Sequence, residues 1–83
     1  MAVSLDAWER PVLEAFARLE EQDPEGAWNY FYHEIVKAAD GIPERAKAVC
    51  SRLRGRKLLT GDGRGQFATY YINDKGKEAL LNA

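Results

Sequence analysis

Apolar residues recur at three-to-four spacing over the first quarter of the chain. Leu5, Trp8, Val12, Ala15, Phe16 and Leu19 form one stripe, which predicts an amphipathic helix over Ser4 to Gln22. Asp6 with Glu9 three residues on is a capping pair. Pro11 fits only where helix N–H groups lack partners, so the regular helix is expected to begin near Trp8. The polar run Glu20 to Gly26, which includes Pro24, ends it. The next segment, Ala27 to Tyr32, is aromatic-rich. It reads as a one- or two-residue bridge leading into a second helix from Asn29 or Tyr30 to Ala39, with Ile35, Ala38 and Ala39 inward.

Asp40-Gly41-Ile42-Pro43 is a turn. Gly41 supplies a positive φ that ends a helix, and Pro43 suits the first position of the next. A third helix is expected over Glu44 to Lys57, burying Ala46, Val49, Cys50 and Leu53 at helical spacing. Gly55 lies near its end. Lys57 to Thr60 and Gln66 to Ile72 then read as two strands around the hairpin loop Gly61 to Gly65. Alternation puts Phe67, Thr69 and Tyr71 on one strand face and Ala68, Tyr70 and Ile72 on the other. Asn73 caps a last helix, sealed by Ala79 and Leu80. The order of elements makes an α+β chain.

Eighty-three residues allow one domain, expected over 1–83. Such a chain buries only about 60–65% of its unfolded surface. The apolar content, 46%, argues against disorder. No apolar run is long enough for a membrane span, and the N-terminus lacks a signal-peptide pattern, so a cytoplasmic location is expected. A single cysteine, Cys50, cannot form an internal disulfide, which suits a reducing compartment. The net charge of −1 hides an asymmetry. Residues 1–42 hold three basic and nine acidic side chains, whereas residues 43–83 hold nine basic and four acidic. A basic face set against an acidic one is what a small DNA reader shows, though acidic and basic helices can also simply solvate themselves.

The run Glu34 to Ala39, the stripe Ala46-Val49-Cys50-Leu53, the segment Arg54-Gly55-Arg56-Lys57-Leu58-Leu59 and the stretch Tyr70 to Leu80 stand in a telling order. Together they resemble a winged helix-turn-helix of the kind found in MarR- and PadR-type regulators. The likeness covers about residues 5–83. It departs from those families in carrying Lys57 where a glycine is usual. The resemblance implies a three-helix core, a β-hairpin wing and a short C-terminal helix. It further implies sequence-specific binding of double-stranded DNA by a small transcriptional regulator. Helix 44–57 would enter the major groove, and the wing 61–66 would touch backbone or minor groove.

The residue chemistry agrees with that use. Arg45, Lys47, Ser51 and Arg52 are polar and lie off the buried stripe, and Ala48 is small enough to allow close approach or to meet a thymine methyl. Arg54, Arg56 and Lys57 suit backbone phosphates, and Arg64 at the loop tip could enter a minor groove. Short hairpins also carry exposed charge for solubility, which is the plainer account of Arg64. The cluster Trp28, Tyr30, Phe31 and Tyr32 is a candidate partner-binding patch, with Trp28, Tyr30 and Tyr32 as its contacts, although at least two of these rings are expected in the core. Cys50 reads as a small packing residue and His33 as a surface or helix-start residue. There is no nucleophile with a base, no phosphate loop and no metal-ligand spacing, so no enzyme activity, cofactor or small-molecule ligand is expected. Useful affinity would call for a homodimer or a protein partner. Two alternatives remain open: a winged-helix protein-interaction module, or an accessory DNA-binding factor in recombination, replication or phage development.

Overall fold

The computed structural model describes residues 4–81; the expected span of 1–83 runs past these at both ends. The first helix, α1 (Glu9–Gln22), opens as the capping pair predicts. The Glu9 N–H donates to Asp6 Oδ1 at 2.7 Å, and the Asp6 N–H donates back to Glu9 Oε1 at 3.1 Å. Two otherwise orphaned amides are satisfied by this exchange. Pro11 sits in the first turn, where its missing N–H is harmless. The stripe Val12, Leu13, Phe16, Leu19 is fully buried.

The second helix is shorter than the sequence suggests: α2 runs His33–Ala38, not from Asn29 or Tyr30. Asn29 is engaged elsewhere. Its Nδ2 donates to the carbonyls of Gln66 and Ala68, at 2.6 and 2.8 Å, while its Oδ1 accepts the Phe31 N–H. An Asx turn therefore replaces the expected helix start. The bridge before it is present. Trp28 and Tyr70 exchange both backbone bonds, at 2.9 and 2.8 Å.

Gly41, at φ +74°, closes α2 by donating to the Val36 carbonyl, and Ile42 leads to Pro43 at the head of α3 (Pro43–Gly55). Ala46, Val49, Cys50 and Leu53 are its buried stripe. Desolvation pushes the Cys50 thiol up to about 12. The helix stops two residues before the expected Lys57 because of a Schellman turn. The Leu58 N–H returns to the Leu53 carbonyl at 2.9 Å, and Lys57 takes φ +64°. Lys57 thus stands in the left-handed conformation that glycine adopts most readily.

That turn also shifts the hairpin. Lys57 and Leu58 belong to the cap, so β1 is Leu59–Asp62 and pairs with β2 (Thr69–Ile72) in antiparallel register, Leu59 opposite Ile72. The loop lies at 63–68, starting two residues and ending three residues later than the sequence predicts, and Gly65–Phe67 make a 3₁₀ turn within it. The alternation of β2 holds: Ala68, Tyr70 and Ile72 are buried, while Phe67 is 77% exposed. Asn73 Oδ1 accepts the Gly76 N–H and caps α4 (Asp74–Leu81). A side chain at Gly76 would strike the Leu58 carbonyl, so α4 lies directly on the α3–β1 junction. Phe16 and Tyr70 meet edge-to-face near the centre, with ring centroids 6.4 Å apart. Among the described residues the result is a small α+β arrangement of four α-helices and one two-stranded hairpin. Among the described residues, no helix is long and apolar enough to cross a membrane.

Candidate functional site

Helical geometry sorts the surface of α3 into three strips. Glu44, Ala48, Ser51 and Gly55 form an outer crest, all exposed and mostly small. Lys47 and Arg54 flank the crest on the side of the hairpin loop. Arg45, Arg52 and Arg56 flank it on the side of α1. Five of the seven candidate cations of the sequence therefore lie on α3 or at its C-cap, Arg56, but on opposite slopes of it.

The loop-side slope borders a concavity of about 220 Å³ between α3 and the loop. Lys47, Ser51, Arg54, Arg64 and Tyr70 line it, with Gly63 and Gly65 at the rim. Arg54 is held in place. Its Nη1 donates to the Gly63 carbonyl at 3.2 Å, and its hydrocarbon stem lies over Gly61, where a Cβ would collide with it. Gly63 and Gly65, at φ +82° and +60°, bend the loop toward the helix. Lys47, Arg54 and Arg64 take part in no ion pair among the described residues. Burial lifts the Tyr70 phenol above its ordinary value, so it stays protonated and able to donate. Sequence reasoning did not single out Tyr70 as a lining residue; the inward alternation of β2 was the available signal.

The α1-side slope is occupied by the chain itself. Arg52 Nη1 donates to Asp6 Oδ2 at 2.7 Å. Arg56 reaches Glu9 Oε1 at 2.6 Å and the Ser4 carbonyl at 2.8 Å. The Arg45 guanidinium lies 3.8 Å from the centre of the Trp8 ring, and 3.7 Å from Asp40. Glu9 is only 2% exposed, and its second oxygen has no hydrogen-bond partner. The Glu9 amide is the chief cause holding the Asp6 carboxyl below its ordinary value, assisted by the Trp8 amide and by Arg52. Arg56, expected on the sequence to hold phosphate, is therefore committed to a buried carboxylate. Arg45 and Arg52 are engaged more loosely, at the surface. Lys57 is exposed but serves the helix cap.

The aromatic candidates separate as well. Tyr30 is 5% exposed and packs in the core, so it is not available to a partner. Trp28 is half-buried against the hairpin. Tyr32 is outward, and Phe31 is more exposed than either neighbour at 56%. Phe31 borders a shallow, mainly apolar depression with Val36, Gly41 and Pro43.

The chain matches no known protein-family model, no curated protein and no solved structure.

Proposed function

We propose that this chain is a winged helix-turn-helix that binds double-stranded DNA as a small, non-enzymatic transcriptional regulator of the cytoplasm. One observation carries the reading: beyond Glu44, a crest of small residues (Ala48, Ser51, Gly55) on α3 runs between cationic slopes, and the unpaired slope converges with Arg64 across a concavity. A duplex major groove has that shape in reverse, with base edges at its floor and a phosphate backbone along each wall. Ala48 and Ser51 on the crest come close to base edges, with Ala48 suited to a thymine methyl. Lys47, Arg54 and Arg64 take phosphate oxygens of one strand, and the Ser51 and Tyr70 hydroxyls add donors. The loop glycines let backbone approach backbone.

Fluorescence anisotropy of the full chain with duplex DNA at low and moderate salt tests this. Binding that weakens steeply with salt, and that Lys47→Glu with Arg64→Glu removes, is the expected result. Absence of binding at low salt would overturn it. One observation favours a second reading, a protein-interaction module. The depression beside Phe31 is apolar, and Tyr32 and Ile42 are exposed in the same part of the chain. Binding of random and operator-like DNA with equal strength would instead favour an accessory, architectural factor.

A further inference from the structure

The cationic slope on the α1 side of α3 has the same chemistry as the loop-side slope but a different occupant. Arg45, Arg52 and Arg56 stand at i, i+7 and i+11, one above the other along the helix. Facing them is the lead-in Ser4 to Glu9, which presents a carboxylate, an indole ring, a second carboxylate and a carbonyl. The segment offers these guanidiniums what a phosphate strand would offer: anionic oxygens at charge-assisted distances of 2.6 and 2.7 Å.

We infer that Ser4 to Trp8 is a built-in competitor of DNA, covering a second phosphate-binding slope on α3 that the opposite wall of the groove takes over when the duplex docks. This rests on the DNA-binding reading above. The contacts differ in how readily they yield. Arg52 and Asp6 are both about half exposed, at 54% and 45% of their side chains, so the pair is weak and screened by salt. The Arg45–Trp8 contact lies at the surface too, with Trp8 37% exposed. Arg56 grips a Glu9 side chain that is 3% exposed, and does not let go. DNA therefore gains Arg52 and Arg45 by displacing Asp6 and Trp8, while Arg56 keeps α1 in place.

The test is a double-mutant cycle on the full chain. Asn caps a helix as well as Asp, so Asp6→Asn keeps the Oδ1 bonds to the Trp8 and Glu9 amides and removes only the charge facing Arg52. Affinity for duplex DNA should rise about two- to fivefold, the size of an exposed ion pair. The same change made on an Arg52→Ala background should give no rise, which separates release of Arg52 from the mere loss of a nearby negative charge. Trp8→Ala should add a smaller gain through Arg45. If wild type binds DNA and Asp6→Asn leaves affinity unchanged, or raises it equally with and without Arg52, the competitor role is wrong and the DNA reading stands. If neither wild type nor Asp6→Asn binds DNA at low salt, the DNA reading falls and the competitor role falls with it.

Discussion

The two slopes of α3 carry the same kinds of side chain and do opposite things. On one, Arg45, Arg52 and Arg56 face carboxylates and an indole ring contributed by the start of α1 and by Asp40. On the other, Lys47 and Arg54 face a loop without a single acidic residue along the concavity they border. A basic residue on a helix is thus not a DNA contact by virtue of its charge. What decides its role is whether the fold has brought an anion to it. The paired slope ties the Ser4 to Glu9 segment to α3, whereas the loop-side cations meet no acidic partner among the described residues.

The largest effect should come from breaking the paired slope at its buried end. Arg56→Ala leaves the Glu9 carboxylate desolvated with one oxygen already unpartnered. We expect a loss of about 2–3 kcal/mol in urea unfolding, at the low end for a buried pair because Arg56 itself is one-third exposed. Breaking the unpaired slope should do the reverse. Lys47→Glu with Arg64→Glu should lower duplex DNA affinity by about thirtyfold, or roughly 2 kcal/mol, and leave the unfolding midpoint where it was. An equal fall in stability would mean that the loop-side cations are structural after all. A third kind of cation sharpens the contrast: Lys57 matters for its backbone. Lys57→Gly should relieve the left-handed strain and raise stability by about 0.5 kcal/mol after the entropy cost of glycine, as read by thermal unfolding.

The smallest effect is at the exposed end of the paired slope. Asp6→Asn should cost only about 0.3 kcal/mol at neutral pH. Its signature is the pH dependence. The Asp6 carboxyl titrates below its ordinary value, so its ionised form stabilises the fold above about pH 4, and that contribution disappears as the pH falls through the folded-state pKa. Urea unfolding of wild type and variant should differ near pH 7 and converge near about pH 2. A difference that persists in acid would point to packing of the side chain, not to its charge.

Local features were legible in the chain and distant ones were not. The Asp6–Glu9 capping pair, the Gly41–Pro43 turn, the inward face of β2 and the Asn73 cap each depend on neighbours in sequence or on a period, and each is found as read. The extent of α2 was misjudged because Asn29 bonds carbonyls 37 and 39 residues away, which no local propensity encodes. The hairpin came two residues late because the Lys57 cap absorbs the residues assigned to the strand. The candidate site divides the same way. The helix that carries it, and most of its cations, could be listed from the sequence. Which of them face carboxylates depends on contacts 46 and 47 residues apart, and the chain gives no sign of those until it folds.

The lone thiol of Cys50 carries a practical consequence. It is completely buried, and with its ionisation deferred to about 12 it is almost entirely protonated at neutral pH. An alkylating reagent reacts with the exposed thiolate, so the folded molecule offers it nothing to attack. Modification can proceed only through molecules whose core around α3 has opened. When reclosing outruns the chemistry, the labelling rate measures how much of the population is open at any moment. The protein thus carries its own reporter of core opening, silent while the helices stay packed and readable by mass in a drop of dilute sample.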